Sequence, residues 1–239
     1  LEWERAHYHQ AVARAYGVDV DEEPGCVTIS ADVGLVAPSV QPALRGRLVW
    51  TLTDDGVLSL GMRLRRTLGF PSLPRLGLRL FLPESMSQVD YYGLGPQESY
   101  VDKHRASHHG AFSAEVVDLH EDYIRPQENG SHADCNKVIV SGGGLSLAVV
   151  GPTPFSFSAS RYTQEELAAR RRNTELTPSG STVLCLDAAM AELARRVPAG
   201  TRILLSADHG MVDTDPDHRI DLSAHRDLVR DVVAVAGEP

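Results

Sequence analysis

Runs of alternating apolar and polar residues, joined by short turns, constrain the fold of this chain most strongly. Leu48, Trp50 and Leu52 alternate with other residues, Asp54-Asp55-Gly56 gives a turn signal, and the alternation resumes at Leu58. Successive side chains of a β-strand point to opposite faces, so this pattern predicts a hairpin with one buried face. The predicted second strand continues through Leu60, Met62 and Leu64.

The same alternation recurs further along the chain. It is found from Leu76 to Leu82, on both sides of Gly142-Gly143-Gly144, and at Phe155 and Phe157. The glycine run lies between apolar alternations and lacks the strand-to-helix setting of a phosphate-binding loop, so it predicts a hairpin turn. Strands joined by glycine and proline turns, without helical patterns between them, predict an antiparallel sandwich from Cys26 to about Ser160.

The last third of the sequence has a different pattern. Thr163-Gln-Glu-Glu166 is a capping box that predicts the start of a short helix. Residues 188–197 predict a second helix, Ile203-Leu-Leu205 a short buried strand, and Ser223 the cap of a final helix. Helix, strand and helix in this order predict a short α/β tail after a mainly β domain.

Composition and charge exclude several function classes. The chain has 239 residues, 42% hydrophobic residues and a formal net charge of −9. An acidic chain lacks the basic patch of most nucleic-acid binders, so no nucleic-acid partner is expected. No apolar run reaches the roughly 20 residues that cross a bilayer, so no membrane partner is expected either. Three widely spaced cysteines without a Cys-x-x-Cys pair favour a cytoplasmic protein without a disulfide framework.

Three segments in a fixed order carry the most specific signal. Residues 91–103 read Tyr-Tyr-Gly-Leu-Gly-Pro-Gln-Glu-Ser-Tyr-Val-Asp-Lys, after Pro-Arg-Leu-Gly-Leu-Arg-Leu-Phe-Leu-Pro at 74–83 and before Arg-Pro-Gln-Glu-Asn-Gly-Ser-His at 125–132. Together they resemble the C-terminal domain of the large bacterial β-galactosidases of glycoside hydrolase family 2, which the family also makes as a separate small chain. The similarity begins at Trp3-Glu-Arg and continues to about residue 190.

This resemblance implies a fold and a division of the chain. It implies a linker over residues 1–25 and a galactose-mutarotase-like antiparallel β-supersandwich over 26–190, with residues 191–239 as the α/β tail. In the family, further strands and a sugar-contacting tryptophan follow the segment that matches Leu184 to Asp187. Here the two tryptophans are Trp3 and Trp50, so the sandwich is expected to be truncated and to lack that aromatic platform.

The resemblance also bears on catalysis. Glycoside hydrolysis normally uses two carboxyl groups, and Glu98, Asp102, Glu121 and Glu128 are the candidates in the matching region. The family's catalytic glutamates lie in an upstream barrel, and no stretch of this chain resembles that barrel. We therefore predict no catalytic residue here. Glu98 and Glu128 are instead expected to accept hydrogen bonds from loop backbone.

Glu128, Asn129 and Gly130 form the predicted substrate-side loop. Asn129-Gly130 matches a loop that in the family lies beside the mouth of the active site. Gly130 would supply a left-handed or hinge conformation there, and an ordinary tight turn is the alternative. By the resemblance, the chain is a component of a β-galactosidase, inactive alone, whose partners are a catalytic domain or large chain and a galactoside.

A second resemblance begins at about residue 186. Ile203-Leu-Leu-Ser-Ala-Asp-His-Gly-Met-Val-Asp213 resembles the alkaline phosphatase and nucleotide pyrophosphatase/phosphodiesterase superfamily. In that superfamily the positions matching Asp208 and His209 bind a divalent metal, and carboxylate and imidazole are good zinc ligands. The superfamily's nucleophile and other ligands are not visible here. The domain is thus expected to need no cofactor, and zinc would bind only if another chain completed the site.

Two other interpretations are kept as alternatives. A metal-dependent phosphodiesterase fragment would depend on Asp208 and His209. A non-catalytic carbohydrate-binding module would depend on the loop at Asn129-Gly130. His104, His108 and His109 are close in sequence but lie in an Arg/Ser/His segment within a β region, so a polar loop is predicted rather than a metal site.

Overall fold

A computed structural model describes residues 2–188, apart from residues 39, 68, 72, 74 and 101. The chain divides into two compact units, whose described residues fall within Leu1–Leu76 and Gly77–Ala189. Each unit contains one antiparallel sheet, of four and six strands respectively. The predicted mainly β, antiparallel class is confirmed. The predicted tail, including both of its helices and its strand, lies outside the described residues.

The first unit is a meander of four strands in the order β1-β2-β3-β4. A short helix, α1 (Glu2–Arg5), and a 3-10 helix (Tyr8–Gln10) precede the strands. The strands are β1 (Val12–Glu23), β2 (Cys26–Val36), β3 (Leu44–Thr53) and β4 (Leu58–Arg66). The hairpin predicted around Asp54-Asp55-Gly56 is confirmed, because Trp50 pairs with Leu60 and Leu52 with Leu58.

The structure differs from the prediction of a linker over residues 1–25. Strand β1 occupies most of that segment and pairs with β2 from Val12↔Val36 to Glu23↔Cys26. The predicted boundary between residues 25 and 26 therefore falls inside a tight hairpin turn, where Gly25 has a φ of 76°. A left-handed conformation of this kind is what a two-residue hairpin turn requires.

The second unit is a six-stranded antiparallel sheet in the order β5-β10-β9-β8-β6-β7. Its strands are β5 (Gly77–Pro83), β6 (Gln88–Gly95), β7 (His108–Glu115), β8 (Ser131–Gly142), β9 (Leu145–Ser160) and β10 (Ser181–Ala188). Two 3-10 helices, Val116–Leu119 and Asn173–Glu175, lie in the connections. The hairpin predicted at the triple glycine is confirmed, because Gly142 of β8 pairs with Leu145 of β9.

The core of the second unit is built from strand residues that alternate inward. Val138 and Val140 of β8 and Phe155 and Phe157 of β9 are each at most 2% exposed. Tyr91 of β6 packs edge-on against Phe157 with ring centroids 5.1 Å apart. This packing holds the central strands of the sheet in place. One of the strands it holds is β6, which leads into the candidate site.

The short helix predicted at Thr163 is confirmed as α2 (Gln164–Ala169). The side chain of Thr163 accepts a hydrogen bond from the backbone N–H of Glu166, which is how a threonine N-cap satisfies a free donor. Leu167 is the buried residue of this helix. Among the described residues, no helix is both long enough and apolar enough to cross a membrane.

Candidate functional site

The site lies where the segment at 91–103 leaves strand β6. The strand ends at Gly95, a cis peptide bond joins Gly95 to Pro96, and the chain then turns toward the start of β8. The N–H of Ser99 donates to the carbonyl of Ser131 at 2.6 Å. The hydroxyl of Ser99 accepts from the N–H of Ala133 at 2.8 Å. These two bonds fix the neighbouring Glu98 against the loop that precedes β8.

Glu98 is a buried carboxylate with several donors. It is 7% exposed, and one carboxylate oxygen, Oε2, accepts from the N–H of Gly130 at 2.9 Å. The other oxygen, Oε1, accepts from the ammonium of Lys103 and the hydroxyl of Tyr123. Lys103 Nζ also donates to the Tyr123 hydroxyl at 2.8 Å. The expectation that Glu98 accepts a hydrogen bond from loop backbone is confirmed.

The protonation states in this cluster follow from the contacts. Burial acts to raise the pKa of Glu98, but hydrogen bonds from Lys103, Tyr123 and Gly130 outweigh it, and the net pKa is lowered. The pKa of Lys103 is raised, mainly by its hydrogen bonds to Glu98 and then Tyr123. Glu98 is therefore ionised and Lys103 protonated at neutral pH. A carboxylate stabilised in this way is a weak base and a weak nucleophile.

The predicted loop at 128–130 has one buried and one exposed side chain, which are adjacent in sequence. Asn129 is 6% exposed, and its side chain is used within the loop: Oδ1 accepts from the N–H of Glu121 at 3.1 Å, and Nδ2 donates to the carbonyl of Gln127 at 2.9 Å. Glu128 is exposed, and its carbonyl lies 3.5 Å from the hydroxyl of Tyr100. The amide of Asn129 thus holds the loop in shape, while the Glu128 side chain is on the surface.

Gly130 adopts a left-handed conformation, one of the two that the family resemblance implied. Its φ is 67°, in a region that side chains other than glycine's rarely allow. A Cβ at this position would also overlap with the backbone carbonyl oxygen of Leu119. Both the backbone torsion and the close approach of Leu119 therefore require glycine. A tight turn would explain the torsion but not the close approach.

A cavity of about 220 Å³ adjoins the carboxylate cluster. Glu98, Lys103 and Tyr123 form one part of its wall, and Arg105 and Glu121 are also among its lining residues. Sequence reasoning missed the roles of Lys103 and Tyr123. Lys103 was the one cation within the 91–103 segment, and that could have suggested a partner for Glu98; Tyr123 has no comparable signal.

The other sequence candidates lie apart from this cluster or outside the described residues. His104 Nδ1 is 3.1 Å from the carbonyl of Tyr100. His108 and His109 begin strand β7, so the prediction of a loop was wrong for these two residues. Within the described part of the chain, no group of three or more His, Cys, Asp or Glu residues is arranged to hold a metal. Asp208 and His209 lie outside the described residues.

The fold and the site together define a class of protein: a mainly β, antiparallel domain in which a buried carboxylate holds the loop before β8. The family model described as "Beta galactosidase small chain" matches residues 1–203. The chain therefore belongs to the β-galactosidase small-chain family. This match runs past residue 190, where the sequence predicted the first resemblance to end.

Individual relatives agree with the family match. A β-galactosidase of Actinobacillus pleuropneumoniae is 36% identical over 189 residues, which is 79% of this chain and 18% of that protein. A β-galactosidase of Staphylococcus xylosus is 33% identical over 190 residues, covering 80% of this chain and 19% of that protein. The chain thus spans less than a fifth of the length of these curated relatives.

Proposed function

We propose that this chain is a component domain of a β-galactosidase that supports the sugar pocket of a separate catalytic domain. In that role it serves the hydrolysis of terminal β-D-galactosides without supplying the reacting carboxyl groups. The observation that carries the proposal is the engagement of Glu98 by the Gly130 N–H, the Lys103 ammonium and the Tyr123 hydroxyl. Glu98, the carboxylate within residues 91–103, is therefore used to hold the 128–130 loop.

The chemistry of glycoside hydrolysis supports this division of labour. A retaining glycosidase needs two carboxyl groups about 5–5.5 Å apart, one of which must be protonated to act as an acid. An acid catalyst is usually tuned to a raised pKa, whereas the pKa of Glu98 is lowered. Because the relatives are more than five times as long as the region matched, the remainder of such a protein is the natural source of the catalytic pair.

The described geometry suits a supporting role. A loop without regular secondary structure normally loses conformational freedom when a substrate or a neighbouring domain orders it, at a cost of about 1–2 kcal/mol per residue. Here the hydrogen bonds of Glu98 and Asn129 fix the loop beforehand. A catalytic domain that uses this loop to close its pocket would therefore not have to order it.

The proposal is tested by complementation. The A. pleuropneumoniae β-galactosidase is made without the 189-residue region that this chain matches, and hydrolysis of nitrophenyl β-galactoside is measured with and without the chain. We expect no turnover by the chain alone, little by the truncated β-galactosidase, and a clear gain when the two are mixed. Turnover by the chain alone would overturn the proposal, as would a mixture no more active than its parts.

A matched pair of variants refines this test. Glu98→Gln removes the charge that holds the loop, whereas Glu115→Gln removes an exposed charge at the end of β7. Complementation should fall with the first variant and stay at the wild-type level with the second. Saturable galactose binding by the isolated chain in calorimetry, without any complementation, would favour a carbohydrate-binding module instead.

A further inference from the structure

One large apolar side chain beside the site is almost fully in solvent. Ile124 is 83% exposed, the highest value for a large hydrophobic residue in the described part of the chain. Single exposed apolar residues are common on protein surfaces, so this exposure alone indicates nothing. What distinguishes Ile124 is the rigidity of the backbone that carries it.

The backbone around Ile124 is held from both sides. The carbonyl of Ile124 accepts from the N–H of Asn173 at 3.1 Å, and the side chain of Asn173 donates to the carboxylate of Asp122 at 2.9 Å. On the other side, the hydroxyl of Tyr123 donates to the buried Glu98. Ile124 is therefore presented on a fixed support, which removes part of the ordering cost that a flexible contact residue would incur on binding.

Two arginines lie in the same region of the surface as Ile124. Arg125 follows Ile124 directly, and Arg105 lines the cavity whose wall includes Tyr123. Both are exposed, and within the described residues neither guanidinium has a hydrogen-bond or ion-pair partner. Two exposed carboxylates precede Ile124: Asp122, which is bonded to Asn173, and Glu121, which lines the same cavity as Arg105. The surface around Ile124 is therefore charged, with two unpaired guanidinium groups among its charges.

We propose that Ile124, Arg125 and Arg105 form a docking point for the catalytic domain of a β-galactosidase. The inference rests on the proposed function and names the surface through which it would act. Ile124 inserts into an apolar pocket of that domain, and the two guanidinium groups pair with carboxylates at its rim, a geometry that arginine forms in a bidentate manner. An apolar centre with a polar rim is the usual anatomy of a protein–protein interface.

The size of the relatives favours this occupant over a second copy of the chain. The region matched is 18% of the A. pleuropneumoniae protein, so a large part of such an enzyme lies outside this chain and is available to cover the surface.

The test measures the dissociation constant between the chain and the truncated A. pleuropneumoniae β-galactosidase described above. Ile124→Ser should weaken binding by about 30-fold or more, the level that marks a hot-spot residue. Val150→Ser is the matched control, because Val150 is also exposed, at 55%, and lies in β9 of the same unit. It should change the dissociation constant by less than about twofold. Arg125→Glu should weaken binding and reduce its dependence on salt.

The outcomes separate this inference from the proposed function. If the wild-type chain fails to bind, the proposed function itself fails. If the wild type binds and Ile124→Ser binds as tightly as Val150→Ser, the docking point is wrong while the function stands. Thermal unfolding checks that each variant is folded. If Ile124→Ser is unfolded, the binding of Arg125→Glu tests the docking point instead. If the wild type self-associates and Ile124→Ser abolishes this self-association, the partner at this surface is a second copy of the chain and the proposed catalytic domain is wrong.

Discussion

The four-stranded and six-stranded sheets differ in how fully they bury their side chains. In β1 of the four-stranded sheet, apolar residues such as Tyr16 and Val20 are 54% and 44% exposed. In the six-stranded sheet, Phe157 and Val138 are completely buried, and the bulkiest side chains less than 2% exposed among the described residues all belong to that unit. Both sheets satisfy their strand pairing, but the four-stranded unit buries fewer of its described side chains, and its most buried one, Leu60, is 3% exposed.

This difference explains where the candidate site lies. A loop without regular secondary structure keeps one conformation only where the surrounding residues hold it. Gly130 and Glu98 both belong to the six-stranded unit, close to buried strand residues of β6 and β8. The exposed meander of the other unit offers no comparable support in its described residues. Three predictions follow from this contrast.

The largest expected effect comes from removing a core side chain of the six-stranded unit. Phe157→Ala deletes a fully buried ring that packs against Tyr91 and His132. It should lower the free energy of unfolding by about 3–5 kcal/mol, the range for truncating buried aromatic residues. Tyr16→Ala, in the exposed strand β1, should cost less than about 1 kcal/mol, mostly its contact with Arg45.

Urea unfolding followed by circular dichroism measures both values. If the two units unfold in separate transitions, Phe157→Ala should shift the transition of the six-stranded unit, which contains Tyr91. Tyr16→Ala should shift the transition of the four-stranded unit. Equal losses for the two substitutions would show that the meander is as tightly packed as the six-stranded sheet. The contrast between the two units would then be wrong.

A smaller effect is expected from two glycines with positive φ, one in each unit. Gly130→Ala should lower the free energy of unfolding by about 3 kcal/mol, because a left-handed alanine costs about 1–2 kcal/mol and the added Cβ also meets the backbone carbonyl of Leu119. Gly25→Ala, in the β1–β2 turn, should cost about 1 kcal/mol, since its added Cβ meets only the movable carboxylate of Asp54.

The same urea titrations test this pair, and the complementation assay adds a functional measurement. Gly130→Ala should reduce complementation even at temperatures where the variant is folded, whereas Gly25→Ala should not. Similar costs for the two glycines would mean that the loop relaxes easily, against the rigid support inferred from the six-stranded unit.

The sequence predicted those parts of the fold that depend on local patterns. The β3–β4 and β8–β9 hairpins were predicted because apolar alternation and a turn signal occur together at Asp54-Asp55-Gly56 and at Gly142 to Gly144. The N-cap of α2 was predicted because Thr163 and Glu166 have the spacing of a capping box. The left-handed conformation of Gly130 followed from the family's loop.

What the sequence did not predict depends on weak alternation or on distant contacts. Strand β1 was missed because its alternation is short, at Tyr16, Val18 and Val20, and because these side chains are exposed rather than part of a buried face. Strand β7 was missed at its start because His108 and His109 are polar and exposed. These strands are defined by pairing with their neighbours rather than by a buried face.

The partners of Glu98 illustrate the same limit in the site. Lys103 is five residues away along the chain, and Tyr123 is 25 residues away. Their meeting depends on the turn after Glu98 and on the path of the loop after Leu119, neither of which follows from residue patterns. The family resemblance indicated that Glu98 was structural, but the identity of its donors depends on how the folded chain brings these distant residues together.

The smallest of the three effects concerns the charge of Glu98. Glu98→Gln replaces the carboxylate by a neutral amide of the same size, which still accepts from Gly130 but loses the charge-assisted bond from Lys103. The free energy of unfolding at pH 7 should fall by about 1–3 kcal/mol, as for hydrogen bonds to charged groups. Glu115→Gln, an exposed control at the end of β7, should change it by less than about 0.5 kcal/mol.

The pH dependence of stability tests the charge of Glu98 more directly. Because the pKa of Glu98 is lower in the folded state than in the unfolded chain, the unfolded state binds more protons between the two pKa values. The stabilisation is therefore complete above about pH 4.3, the ordinary pKa of glutamate, and is lost as the pH falls through the folded-state pKa. The difference between wild type and Glu98→Gln should shrink over that interval.

Comparing the two proteins at each pH separates Glu98 from a second buried group. Burial lowers the pKa of His132, so the folded state resists its protonation and stability also declines as the pH falls below about 6.5. The negative charge of Glu98 raises the pKa of His132 against this effect, so the loss at low pH is larger in Glu98→Gln than in the wild type. The difference between the two proteins should therefore widen as the pH falls below about 6.5 and shrink only below about 4.3. A difference that already shrinks near pH 6.5 would contradict the charge role assigned to Glu98.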